Sequence, residues 1–188
     1  MRTSLVFFLF ASFACGGPEP VLGVPFTAED ARFFDEGVDL VGDPEALEGR
    51  WREEWATELD QRVRRADAVV YVRIRTVRTD TDLDRRTTFR LYPEAERAPL
   101  GEMPEDLVLS AREGDAGYAA IQQNEARVLG STLILFLKWE RPEGAATPTA
   151  RWHLSPGTEQ VTSRVEYLLE RRRGVEREQR SRVIVREN

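Results

Sequence analysis

One histidine, His153, and one cysteine, Cys15, are all that this chain of 188 residues offers of the side chains most used as catalytic bases, thiol nucleophiles and zinc ligands. A Cys/His zinc site takes three or four such ligands, so none can be assembled. A Ser-His-Asp centre would have to be built on His153, within Trp152-His153-Leu154-Ser155. Ser155 or Ser131 would be its nucleophile, and a carboxylate would have to orient the ring. No Gly-x-Ser-x-Gly elbow marks either serine, and His153 reads as an ordinary strand residue. Paired carboxylates of the kind that hydrolyse glycosides stay open, because 33 Asp and Glu leave too many combinations for spacing to choose among. The phosphate-binding loop, the dinucleotide fingerprint and the zinc-protease motif are absent, and no cofactor is expected.

Three further groups have spacings that carry a chemical meaning. Asp80, Asp82 and Asp84 alternate like the start of a calcium loop, which places oxygen ligands at positions 1, 3 and 5. The pattern then breaks, with Arg85 where glycine is needed and Leu91 where the bidentate glutamate belongs; a polar hairpin tip is the plainer reading. Trp51 and Trp55 stand one helical turn apart, as an aromatic platform for a sugar or a protein partner would, or as a pair packing a helix onto the body. Arg171, Arg172 and Arg173 open an arginine-rich stretch, Glu170–Arg182, with six Arg against three Glu. Such a stretch suits an anionic surface, and equally a helix end whose dipole favours cations.

The first residues read as an address. Arg2 precedes an apolar stretch from Leu5 through Ala14 to Cys15, too short for a transmembrane helix, which takes roughly 20 apolar residues, and shaped like a secretory signal. Ser12-Phe13-Ala14-Cys15 resembles the bacterial lipobox, departing from it where Ser12 replaces the usual leucine and where Phe13 is bulky. Gly16-Gly17-Pro18-Glu19-Pro20 follows as a flexible tether would. The resemblance implies cleavage before Cys15 and lipidation of its thiol, with residues 15–26 as tether. It also implies a membrane partner outside the cytoplasm, since two or more acyl chains hold a protein stably. In a cell with two membranes, Gly16 in place of an Asp retention signal favours the outer one.

Composition narrows the partners. The formal net charge is −6, and loss of residues 1–14 would remove only Arg2 among charged groups. An acidic chain is a poor match for nucleic acid, whose binding depends on clustered Lys and Arg. Every basic residue except Lys138 is arginine, which reads as a GC-rich genome and discounts the arginine clusters. No second cysteine exists to form a disulfide.

These groups must be positioned by a mixed set of elements. Thr27 caps a short predicted helix over Ala28–Glu36. Asp43 and Pro44 start a helix over 44–66, with Leu47, Trp51, Trp55, Leu59 and Val63 at helical spacing. Alternation then predicts strands at Ala68–Val77, Thr87–Tyr92 (stopped by Pro93), Leu107–Ala111, Thr132–Trp139 and Arg151–Leu154. A helix over Ala116–Leu129 separates the third strand from the fourth. A last helix spans about 159–173, ending before Gly174, and Val183-Ile184-Val185 reads as an edge strand. The order strand-strand-strand-helix-strand-strand is similar to the OB-fold, and with its flanking helices to the netrin-like variant of that barrel. The disulfides of the netrin-like family are missing, so no inhibitory function carries over.

The expectation is therefore an α+β protein: a small five-stranded, mostly antiparallel OB-like barrel with flanking helices, forming one domain over 27–188. It would be held in the cell envelope through Cys15, without catalysis, and would bind an envelope protein or glycan through Trp51, Trp55 or the 171–173 arginines. An envelope hydrolase using paired carboxylates and a weak calcium module are the alternatives.

Overall fold

The computed structural model describes residues 24–186; Cys15 and most of the expected tether lie outside them. The fold is α+β, built on one six-stranded sheet. The strands are β1 (Gly37–Val38), β2 (Ala68–Thr81), β3 (Thr87–Leu100), β4 (Leu109–Arg112), β5 (Thr132–Glu140) and β6 (Thr149–Pro156). They lie in the order β1-β6-β5-β2-β3-β4, with β1 parallel to β6 and every other pair antiparallel. The helices are α1 (Arg50–Arg65), α2 (Ala116–Gly130) and α3 (Glu159–Arg186).

Alternation along the strands makes two cores. One face carries Val70, Val72, Leu135, Leu137, Trp152 and Leu154, all buried with Ile121 and Val128 of α2. The other carries Val69, Tyr71, Ile134 and Phe136, buried beneath Trp55, Leu59 and Val63 of α1 and Val161, Val165 and Leu168 of α3. The central strand β5 is thus apolar on both sides, as a strand covered by helices on both faces must be. Helix α2 touches β1, β2, β3 and β4, so the sheet curls around it from one edge to the other.

That curl corrects the barrel expectation. The sheet has six strands, and β1 and β4 are its two free ends, so the barrel does not close. Closure would bring β4 to the β6 side. Instead β1 takes the open side of β6, while the first turn of α2 packs against β1, with Gly117 N donating to Glu36 O at 3.0 Å.

Several predicted boundaries move for local reasons. The helix expected over 44–66 is two pieces: a 3₁₀ turn at Pro44–Ala46, where Asp43 accepts from Glu45 N at 3.1 Å, and α1. Gly49 stands between them at φ +53°, a left-handed conformation that glycine adopts without a Cβ penalty. The short helix over Ala28–Glu36 shrinks to one 3₁₀ turn at Asp30–Arg32. Strand β3 runs through Pro93 and Pro99. Both lie past Leu91, the last residue of β3 that β4 pairs, and the β2–β3 register shifts opposite Pro93; free edges and bulges tolerate proline. Helix α3 continues through Gly174, and residues 183–185 are helical, not an edge strand. One glycine costs a helix about 1 kcal/mol and does not by itself end it.

The segment from Val24 to Val41, here called the strap, is stitched to the body along its length. Lys138 Nζ donates to Val24 O at 2.7 Å and pairs with Asp67 at 3.0 Å. Arg65 meets Asp30 at 3.0 Å, and Phe33 and Phe34 are buried in the second core.

Candidate functional site

The ionisable groups with the most unusual surroundings lie where the strap crosses β6. Residues Arg151, His153 and Ser155 alternate onto the face of β6 that α1 and α3 cover, opposite Lys138, Phe136 and Ile134 of β5. The strap joins this edge through its backbone: Glu36 N donates to Trp152 O at 3.0 Å, and Asp39 N to Leu154 O at 2.8 Å. That register delivers two consecutive acids to two alternate residues of the strand. Asp35 Oδ1 lies 2.9 Å from His153 Nδ1, and Glu36 Oε1 lies 3.2 Å from Arg151 Nε.

The first contact is enclosed. His153 is only 4% exposed. Burial and the neighbouring Arg62 guanidinium push its pKa below the usual imidazole value, against the pull of Asp35 and Asp39. At neutral pH the ring is uncharged, donates from Nδ1 to the Asp35 carboxylate, and presents a bare Nε2. Burial works to raise the Asp35 carboxyl, but the hydrogen bond from His153, helped by Arg62, carries it below the ordinary range. Arg62 is itself buried, donating from Nε to Phe33 O at 3.3 Å and pairing with Glu58 at 3.1 Å. Asp39 is satisfied by Trp55 Nε1 and by Val41 N, both at 2.7 Å.

This is the carboxylate orienter that a catalytic His153 would require, and sequence spacing gave no sign of it across 118 positions. The rest of a Ser-His-Asp centre is not assembled. His153 Nε2 and Ser155 Oγ are buried and have no hydrogen-bond partner among the described residues, each other included. A nucleophile and base must share a hydrogen bond and meet substrate, whereas Ser155 is fully buried. Ser131 lies elsewhere, in a cleft of about 320 Å³ with Arg127, Thr132, Gly157 and Thr158, whose lining holds neither acid nor histidine.

The second contact is crowded with like charge. Arg151 Nε is shared between Glu36 and Glu140, the latter at 3.7 Å, and forms no aligned hydrogen bond among the described residues. Burial raises the Glu36 carboxyl to about 7; Arg151 opposes the rise, and Asp115, Asp35 and Glu140 add to it. Glu36 also has φ +55°, a left-handed conformation uncommon for a residue with a side chain. It is held there from both sides, since a Cβ on Gly117 would come within 2.2 Å of Glu36 O. Strained backbone of this kind persists only where its surroundings over-determine it.

The other residues singled out by spacing fall apart from this cluster. Trp55 is buried on Asp39, but Trp51 is 62% exposed, with the Arg50 guanidinium 5.3 Å from its ring. The tryptophans therefore do not form one platform. Arg172 reaches back to the end of α1, donating to Val63 O and Ala66 O at 2.9 Å; it satisfies carbonyls that a helix C-terminus leaves open. Arg173 donates to Pro99 O at 2.7 Å, and Arg171 is exposed. In the β2–β3 hairpin Asp80 of β2 pairs with Arg90 of β3, and in the turn Asp82 accepts from Arg86 N at 2.8 Å. Asp84 is exposed beside them, and no group of three or more metal-ligating side chains is gathered among the described residues. Comparison with protein-family models, curated proteins and solved structures gives no match for this chain.

Proposed function

We propose that the protein is a lipid-anchored component of a bacterial cell envelope that binds a protein or glycan partner and performs no catalysis. The anchoring half of this reading rests on the Leu5–Cys15 pattern and the glycine-proline tether behind it. The non-catalytic half rests on one observation: the single histidine, although oriented by a carboxylate, is sealed with no nucleophile on its free nitrogen among the described residues. Among the described residues no helix is long and apolar enough to cross a membrane. For the partner we assign Trp51, since exposed tryptophan beside arginine is the composition that dominates binding hot spots.

Cys15→Ser should release the protein from the membrane fraction and abolish palmitate labelling; an unlabelled wild type would remove the anchor. Binding of the released protein to delipidated envelope fragments should weaken about tenfold in Trp51→Ala, and equal binding would take Trp51 out of the reading.

One observation favours a second reading, an envelope hydrolase. Glu36 and Glu140 share Arg151, and Glu36 holds its proton up to about 7, as the general acid of a carboxylate pair does. Turnover of glycoside or ester substrates that disappears in both Glu36→Gln and Glu140→Gln would establish it.

A further inference from the structure

Arg151 and the acids gathered near Glu36 come from four different parts of the chain, and that distribution has a mechanical meaning. Glu36 belongs to the strap, Glu140 ends β5, Asp115 precedes α2, and Arg151 projects from β6. Asp35, one residue back, faces His153 and through it Arg62. Glu36 and Glu140 thus share one guanidinium whose Nε is buried without an aligned hydrogen bond, and Asp115 adds a like charge near Glu36. Asp115 has its own donor, Arg112 N at 2.6 Å, and Glu140 is a third exposed. Glu36, only 15% exposed at its side chain, is the acid for which ionisation is hardest to accommodate. Its backbone also ties the strap to β6 through Glu36 N and to α2 through Glu36 O.

We infer that Glu36 is a proton-operated latch: protonated, it lets the strap lie closed on β6 and α2, and ionised, it drives the strap's turn away from Asp115 and Glu140. The strap is the segment that leads from the proposed membrane anchor into the folded body. The latch therefore sets how firmly the anchor end is attached to the sheet as the pH outside the cytoplasm changes. A carboxyl bound more tightly by the folded seam than by water makes opening easier as pH rises. The change develops between the ordinary glutamate value of 4.5 and about 7. The amides that open with the turn are those of Glu36 and Gly117.

The test is amide exchange on the purified protein, read as protection factors so that the intrinsic pH dependence of exchange is removed. Between pH 5 and pH 8, protection at Glu36 and Gly117 should fall by up to about a hundredfold. Val70 and Leu135, paired in the β2–β5 ladder, should hold theirs. In Glu36→Gln the fall should vanish. Should that variant fail to fold, Asp115→Asn and Glu140→Gln each remove one like charge and keep Glu36, and each should move the midpoint to lower pH. Flat protection in the wild type, an undiminished fall in Glu36→Gln, or an unmoved midpoint in both neighbouring variants would overturn the latch. No substrate is present, so the result is independent of any hydrolytic role of Glu36.

Discussion

Asp35 and Glu36 are neighbours in the chain and reach alternate residues of one strand, yet their proton affinities move in opposite directions. Asp35 meets a hydrogen-bond donor with Arg62 close behind, and its carboxyl is held low. Glu36 meets a cation already shared with Glu140, with Asp115 nearby, and its carboxyl is held high. Burial opposes ionisation of both. What separates them is the supply of donors: a buried carboxylate is stable where aligned donors satisfy it and costly where they do not.

The most direct way to break this comparison is to remove the satisfied acid. Asp35→Ala leaves the His153 ring without its acceptor and Arg62 with one counter-charge fewer. A hydrogen bond to a charged group contributes about 1.5–3 kcal/mol; with Asp35 a third exposed at its side chain, about 1–2 kcal/mol is expected in urea denaturation at pH 7. A loss within error of zero would mean that the seam does not depend on this pair.

Opposite slopes with pH sharpen the comparison. The folded state lowers the His153 pKa, so the stability tied to the neutral ring is complete above about 6.5 and declines as pH falls below it. The folded state raises the Glu36 pKa, so its penalty is absent below 4.5 and complete above about 7. In the wild type the two trends oppose each other just below pH 6.5. Relative to it, Glu36→Gln should gain about 1–2 kcal/mol at pH 8, after allowing for partial exposure, and nothing at pH 4.5. His153→Gln should lose stability at pH 8 through the missing Asp35 contact, and lose less as pH falls to 5. Melting curves at five pH values read both, and slopes of the same sign would contradict the assignment.

Smaller effects belong away from the seam and serve as its controls. Arg172→Ala strips two carbonyl partners from the end of α1 and should cost about 1 kcal/mol with no pH dependence between 5 and 8. Millimolar calcium should leave the melting temperature unchanged within error, because Asp80 and Asp82 are engaged with Arg90 and Arg86 N. A calcium-dependent rise lost in Asp82→Ala would restore the metal reading.

The parts of this fold that were legible in the chain are those set by local pattern. The run Thr132–Trp139 announces a central strand because it is apolar on both alternating faces, and Leu59, Val63, Val161 and Val165 announce their helices by period. Punctuation misled where tertiary contacts outweighed it: Pro93 sits on a free stretch of β3, and Gly174 lies within a 28-residue helix. Barrel closure was misjudged because a two-residue strand, Gly37–Val38, has no periodicity to reveal it. His153 was legible as a lone group to be weighed, but Asp35 and Glu36 were two acids among 33. Only the register of the strap on β6 distinguishes them, and that register is set by backbone hydrogen bonds that no residue type encodes.

The difference between the two acids can be read without altering either. Carbon-13 carboxyl titration of the wild-type protein, with side-chain resonances assigned to Asp35 and Glu36, reports each proton affinity separately. Asp35 is expected to titrate below the ordinary aspartate value of 3.8 and Glu36 near 7. Two carboxyls titrating together in the ordinary range, or Glu36 below 4.5, would contradict it.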